Sequence, residues 1–272
     1  MAEPSAAPAD AATVISALEE LIDPEKARFL PRFFRTGPGE YGEGDRFLGV
    51  TVPLQRWVAR RFARLHWAAV ADLLASPFHE ARLTALLILV QRFAKADKAR
   101  RAAIVRFYLD HLNAVNNWDL VDLSAPRILG AWLLDQPPAA RQVLHWLVDS
   151  GDLWRQRVAM LATLPLIKAD QFAEALAIAE VLLHHEHDLI HKAVGWMLRE
   201  VGKRDLDTEL AFLDAHCATM PRTMLRYAIE KFPPDRRRRY LATRGGTRRR
   251  TSTAAGAAPR AATSREPPKS AG

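Results

Sequence analysis

The feature that most limits what this chain can fold into is an internal period. Similar helix openings recur at His79-Glu80-Ala81-Arg82, Asn117-Trp118-Asp119, Leu153-Trp154-Arg155-Gln156-Arg157, His187-Asp188-Leu189-Ile190 and Pro221-Arg222-Thr223. Aligned on His79, Trp118, Trp154, Asp188 and Thr223, they lie 39, 36, 34 and 35 residues apart. Each step holds two helical patterns and two short turns, and one such unit cannot bury its apolar face alone. Stacked units can, so the period predicts an all-α, HEAT-like helix-pair repeat solenoid with a concave binding face lined by the second helix of each pair. Polar residues and exposed tryptophans on that face are expected to meet a long ligand. Apolar residues at three- and four-residue spacing in Ala81–Phe93, Ala140–Leu147, Phe172–Leu183 and Ile190–Leu198 agree with helices. Pro24, Pro53, Pro137 with Pro138, Pro221, and Pro233 with Pro234 punctuate helix starts. No strand-like alternation with a hairpin turn competes.

Charge marks the boundaries. The net charge of the 272 residues is +8, but residues 235–272 hold 11 basic and 2 acidic residues, leaving 28 basic against 29 acidic elsewhere. The body is therefore near neutral and the basicity belongs to the tail. The reading is a flexible N-terminus over 1–9, a repeat domain over 10–241, and a disordered basic tail over 242–272. Such a tail is too poor in large apolar residues to offset its ordering entropy. It serves either as a non-specific nucleic-acid contact or as a solvated extension. The longest apolar stretch, Leu83–Val90, is too short to span a bilayer. One cysteine, Cys217, excludes an internal disulfide and a multi-cysteine zinc site. With no secretory signal at the N-terminus, a cytoplasmic location is expected.

Three segments stand out. Asn116 to Asp122, NNWDLVD, puts Trp118 and Asp122 four residues apart, on one helix face. A buried carboxylate there needs a partner; taken alone, the segment also reads as a capped helix start, with Asp119 favouring the helix dipole. Trp154 and Arg157 share a face one repeat later. Trp196 follows in His191-Lys192-Ala193-Val194-Gly195-Trp196, where Gly195 inside a helix suggests a close approach. His184, His185, His187 and His191 lack a recognisable metal-ligand spacing, so no metal or other cofactor is expected. Cys217 beside His216 reads as a buried, inert cysteine. The glycine-rich loop Thr36–Gly44, TGPGEYGEG, matches no phosphate-cradling pattern.

Five motifs in order, FLGV at 47–50 with Pro53, NNWDLVD at 116–122, LWRQR at 153–157, HKAVGWMLRE at 191–200 and MPRTMLRYAIEKF at 220–232, resemble the bacterial DNA alkylation repair glycosylases of the AlkD type. The similarity spans about Phe29 to Leu241; the loop TGPGEYGEGDRF and the Arg-rich tail fall outside it. The resemblance implies a monomeric DNA glycosylase of base excision repair. Such an enzyme hydrolyses the N-glycosidic bond of positively charged alkylated purines, such as 3-methyladenine and 7-methylguanine, in duplex DNA without base flipping. It also implies that Asp122, Trp118 and Trp196 are the catalytic residues and that Arg157 contacts a phosphate. Lys192, Arg199, Arg222 and Arg226 are further candidate DNA contacts along the concave face. A bacterial, nucleoid-associated location accompanies that activity.

The chemistry is coherent with these assignments. A purine methylated at N3 or N7 leaves as a neutral base, so no strong acid is needed. The sugar becomes oxocarbenium-like, and an ionised Asp122 about 4 Å away stabilises it by roughly 4 kcal/mol at an effective dielectric of 20, on the order of a thousandfold in rate. From its ordinary pKa, Asp122 is expected to be ionised without tuning. The alternative is a non-catalytic helical-repeat scaffold that binds DNA structures or a protein partner.

Overall fold

The computed structural model describes residues 9–243. Helices run from Ala11–Glu19 to Pro234–Ala242, and among the described residues the sole β pairing is a single bridge between Arg46 and Phe78. The fold is an all-α repeat solenoid. The expectations for the N-terminus (1–9) and the tail (242–272) fall almost wholly on residues 1–8 and 244–272, outside those described. No helix of the described residues is long and apolar enough to cross a membrane.

The predicted period is the architecture. His79–Lys95, Trp118–Ser124, Leu153–Ala162, Asp188–Gly202 and Arg222–Ala228 begin at or within one residue of the five aligned positions and pack side by side as an inner row. The outer helices Lys98–Asp110, Gln142–Asp149, Ala173–Val181, Leu206–His216 and Pro234–Ala242 lie behind them. Side chains at the openings cap the inner helices: Asn117 accepts from the Trp118 N–H at 2.8 Å, Asp152 from the Trp154 and Arg155 N–H groups at 3.0 and 2.8 Å, and His187 Nδ1 from the Leu189 N–H at 3.1 Å. One continuous apolar core joins the layers. His79–Lys95, packed between repeats, is buried along most of its length.

Two inner helices are broken by prolines that the period does not reveal. Pro126 opens a π turn, Pro126–Gly130, in which the Gly130 N–H reaches back five residues to Ala125 O at 2.9 Å. Pro126 has no N–H to give the Asp122 carbonyl, so the Arg127 guanidinium donates to Asp122 O at 3.5 Å and Leu123 O at 3.0 Å. Pro165 breaks the next inner helix between Leu153–Ala162 and Leu164–Lys168. The two breaks meet: a Cβ on Gly130 would lie 2.4 Å from Ala162 O and 2.9 Å from Pro165 Cδ. The expected close approach at Gly195 is likewise present, because a Cβ there would lie 2.3 Å from Met224 O.

Candidate active site

The inner row opens into a groove of about 420 Å³ lined by Arg32, Phe33, Arg35, Tyr41, Trp118, Asp122, Arg157, Leu189, Lys192, Trp196 and Tyr227. Trp118 and Asp122 reach it together because they are one helical turn apart. Leu189, Lys192 and Trp196 reach it as a three- and four-residue stripe of Asp188–Gly202. The catalytic set proposed from sequence, Trp118, Asp122 and Trp196, is thus brought to one hollow. Both indoles are fixed at their N–H: Trp118 donates to Phe33 O at 3.2 Å and Trp196 to Glu200 Oε1 at 3.0 Å. Trp118 also stacks on Phe34, with centroids 5.2 Å apart and planes 9° from parallel. The exposed tryptophans expected on the binding face lie elsewhere, and the two indoles that line the groove are half-buried. Trp57, Trp67 and Trp146 are the exposed indoles, and none lines the groove.

Asp122 is gripped. Its Oδ1 accepts from Arg157 Nε at 3.0 Å and its Oδ2 from Arg157 Nη2 at 2.9 Å, while Arg157 Nη1 donates to Leu189 O at 2.5 Å. The Arg157 side chain is 5% exposed and that of Asp122 17%. Two expectations change. Arg157 already spends its planar fork on a carboxylate and a carbonyl, so it is not a free phosphate clamp. Nor does Asp122 titrate untuned: burial pushes its carboxyl above the ordinary aspartate value, with Arg157 as the main opposing influence.

The four other basic candidates divide. Lys192 lines the groove, paired with Asp188 at 2.6 Å. Arg199 turns away to an ion pair with Glu230 and lines a separate small cavity beside Glu209. Arg222 donates to the Leu241 and Thr243 carbonyls at 2.5 and 3.2 Å, tying down the last helix, and exposed Arg226 is not among the groove-lining residues.

Behind Trp118 lies a buried ionic cluster. Asp45 accepts from His79 Nδ1 at 2.9 Å, Arg82 Nη2 at 2.6 Å and Asn117 Nδ2 at 3.2 Å. His79 Nε2 donates to Asp119 at 2.8 and 3.0 Å. Asp119 is therefore the acceptor of a buried imidazolium, not merely a dipole partner. Burial alone would lower the His79 pKa, but Asp119 and Asp45 outweigh it and raise it to about 9. The rings of Trp118, Phe34, His79 and Phe47 form a continuous pile with successive centroids 5.2, 4.7 and 4.9 Å apart. The FLGV motif is held by Glu80, which accepts from the Leu48 and Gly49 N–H groups at distances of 2.8 to 3.1 Å.

The histidines singled out in 184–191 serve local bonding: His185 Nε2 pairs with Gln156 Oε1 at 3.0 Å and His191 Nε2 with His185 O. No metal-holding group of acidic, histidine or cysteine residues exists among the described residues, and Cys217 is buried and free.

With this geometry in view, comparison with known proteins is decisive on family. The model of the DNA alkylation repair enzyme family matches residues 14–232. The chain belongs to that family. The match runs from the first helix to the end of the fifth inner unit, so the repeat body as a whole is that of a DNA alkylation repair enzyme, with a role in DNA repair. The solved structure of a predicted DNA alkylation repair enzyme from Enterococcus faecalis is 15% identical, with a TM-score of 0.59 over 78% of this chain and 97% of that one. At that identity the likeness speaks for the fold. No curated protein matches.

For this repair enzyme, sequence reasoning missed Arg32, Phe33, Arg35 and Tyr41, which an N-terminal segment outside the helical period brings into the groove. Tyr41 sits edge-on to Trp154 and His187, with centroids 5.5 and 6.0 Å away. The one available signal was the four glycines of the 36–44 loop, two of which, Gly39 and Gly44, take positive φ.

Proposed function

We propose that the chain is a monofunctional DNA glycosylase that hydrolyses the N-glycosidic bond of positively charged alkylated purines, 3-methyladenine and 7-methylguanine, in duplex DNA without base flipping. The observation that carries this is the Asp122 carboxylate, held by Arg157 at the wall of an open groove between Trp118 and Trp196. The groove is open rather than a closed pocket, which suits recognition of sugar and backbone over extrusion of a base. As the C1′–N bond breaks, its electron pair leaves with the cationic base, which departs neutral. The deoxyribose cation is stabilised by Asp122 and by the electron-rich indole faces. Water then adds at C1′ and gives up a proton, with Asp122 aligning or accepting it.

Release of 7-methylguanine from methylated duplex DNA tests the reading. The wild-type chain releases base above buffer, and Asp122→Asn loses on the order of a thousandfold in rate. A wild-type chain that binds duplex DNA and releases nothing overturns it and leaves the binding-scaffold reading, for which the fully paired state of Asp122 is the supporting observation.

A further inference from the structure

The bidentate hold of Arg157 on Asp122 leaves the groove without its expected phosphate arm, and the charges around it indicate which residue takes that role. Along the Asp122 hollow, Arg32, Arg35, Arg157 and Lys192 face a single carboxylate, an excess of three positive charges. The adjoining hollow of about 410 Å³ is lined by Arg35 and Lys192 but also by Glu40, Glu186 and Asp188, with His187 held below its ordinary pKa chiefly by burial. A phosphate is therefore favoured on the Asp122 side and disfavoured on the other. Arg35 stands on the boundary and lines both.

Arg35 is also built into place. It ends the short helix Pro31–Phe34 in a left-handed conformation, φ 46° and ψ 73°, which side chains other than glycine and asparagine seldom adopt. The Gly42 N–H locks this turn onto Arg35 O at 3.0 Å, and a Cβ on Gly42 would lie 2.2 Å from Phe34 O, so only glycine closes the loop so tightly. The loop supports itself, with Glu40 accepting from the Gly37 N–H at 3.0 Å and Glu43 from the Gly39 N–H at 2.9 Å, and Asp45 anchors its far end in the buried cluster. Strain this well supported, at the lip of a groove, marks a position held for a purpose. The Arg35 side chain remains 68% exposed, with one loose partner, Glu40 at 3.6 Å. An exposed pair of that kind is worth little and is readily exchanged for a phosphate.

We infer that Arg35, presented by the rigid 36–45 loop, is the residue that binds a DNA backbone phosphate at the Asp122 hollow. The inference rests on the proposed DNA glycosylase reading. It is tested by fluorescence anisotropy of a labelled duplex carrying one tetrahydrofuran abasic-site analogue, titrated over a range of salt concentrations. The proteins are the full chain, Arg35→Gln, Arg35→Lys, and Arg100→Gln as an equal charge loss on an outer helix. Losing one phosphate contact makes the slope of log affinity against log salt shallower by about 0.9. Arg35→Gln shows that change and binds several-fold more weakly at low salt, Arg35→Lys keeps the wild-type slope, and Arg100→Gln does not alter it. An Arg35→Gln slope equal to that of the wild type or of Arg100→Gln overturns the inference while leaving the glycosylase reading intact. A wild-type chain with no salt-dependent affinity for the duplex overturns the glycosylase reading itself.

Discussion

The Arg157–Asp122 pair yields a prediction that separates two ways an arginine can serve a glycosylase. If Arg157 acts through Asp122, its removal affects the carboxylate; if it grips DNA, its removal affects affinity. Two N–H groups at 2.9 and 3.0 Å hold a carboxylate that is 17% exposed. Replacing Arg157 by methionine keeps most of the bulk and leaves that carboxylate without its partner. Retaining an unpaired buried charge costs about 3–5 kcal/mol, so the carboxyl takes up a proton instead and its titration moves further in the direction burial already drives it. Excision by Arg157→Met should then climb with pH to a plateau reached later than in the wild type, and be most impaired at acid pH. Asp122→Asn should lose on the order of a thousandfold on the high-pH plateau, the roughly 4 kcal/mol of a carboxylate near a sugar cation, and the gap to the wild type should narrow in acid as the wild-type carboxyl takes up its proton. The double variant Asp122→Asn/Arg157→Met should be no slower than Asp122→Asn alone by more than about twofold, because the second change removes a residue whose client has gone. Single-turnover release of 7-methylguanine at saturating enzyme measures all four corners of this cycle. Multiplicative losses in the double variant, with a pH profile of Arg157→Met identical to the wild type, would refute the argument.

Further outcomes follow from the surrounding structure. His79, its pKa raised from 6.5 to about 9 between Asp119 and Asp45, contributes about 3 kcal/mol of stability that is fully present below about pH 6.5 and lost as pH rises through about 9; chemical denaturation of His79→Gln across that range should show this dependence removed. Glu209 is 2% exposed, its Oε1 has no hydrogen-bond partner, and burial raises its pKa from 4.5 to about 8. The unfolded chain ionises there first, so Glu209 costs up to about 5 kcal/mol as pH rises from 4.5 to 8, and Glu209→Gln should melt higher than the wild type at pH 8 and converge with it in acid. Gly195→Ala places a methyl 2.3 Å from Met224 O and 2.6 Å from Tyr227 Cβ; it should destabilise by about 1–3 kcal/mol through overpacking and lower the melting temperature accordingly. Trp118→Ala should reduce excision more than Trp196→Ala, since it also removes the top of the ring pile on Phe34 and His79, and the two rates compared on one substrate decide the order.

What could be read from sequence follows from the range of each interaction. The inner helices begin where the period puts them because their openings are local events: a cap, a proline, a change of apolar spacing. Trp118 with Asp122 was legible for the same reason, since one helical turn fixes a shared face. The Arg157–Asp122 pair is different. Its members are 35 residues apart, one repeat step, and His79 and Asp119 are 40 apart, again about one step. In a stack of like units, residues one period apart are lateral neighbours, so the repeat that defines the fold also lists these candidate pairs. A buried acid on one inner helix could have been matched to the basic residue one step along before any phosphate was invoked for it. The N-terminal arm had no such ruler. Asp45 meets Arg82 and Asn117 at separations of 37 and 72 residues, and Trp118 meets Phe33 across 85. Although 37 and 72 happen to fall near one and two steps, and 85 does not, none of these contacts joins stacked units, because the arm is not a repeat but a segment outside the row of helix pairs. Its glycines mark a loop of unusual backbone, yet only the tertiary anchors aim that loop at Asp122. A solenoid's scaffold is therefore the part its periodicity reports, while the residues that make one groove unlike its neighbours come from the non-repeating arm.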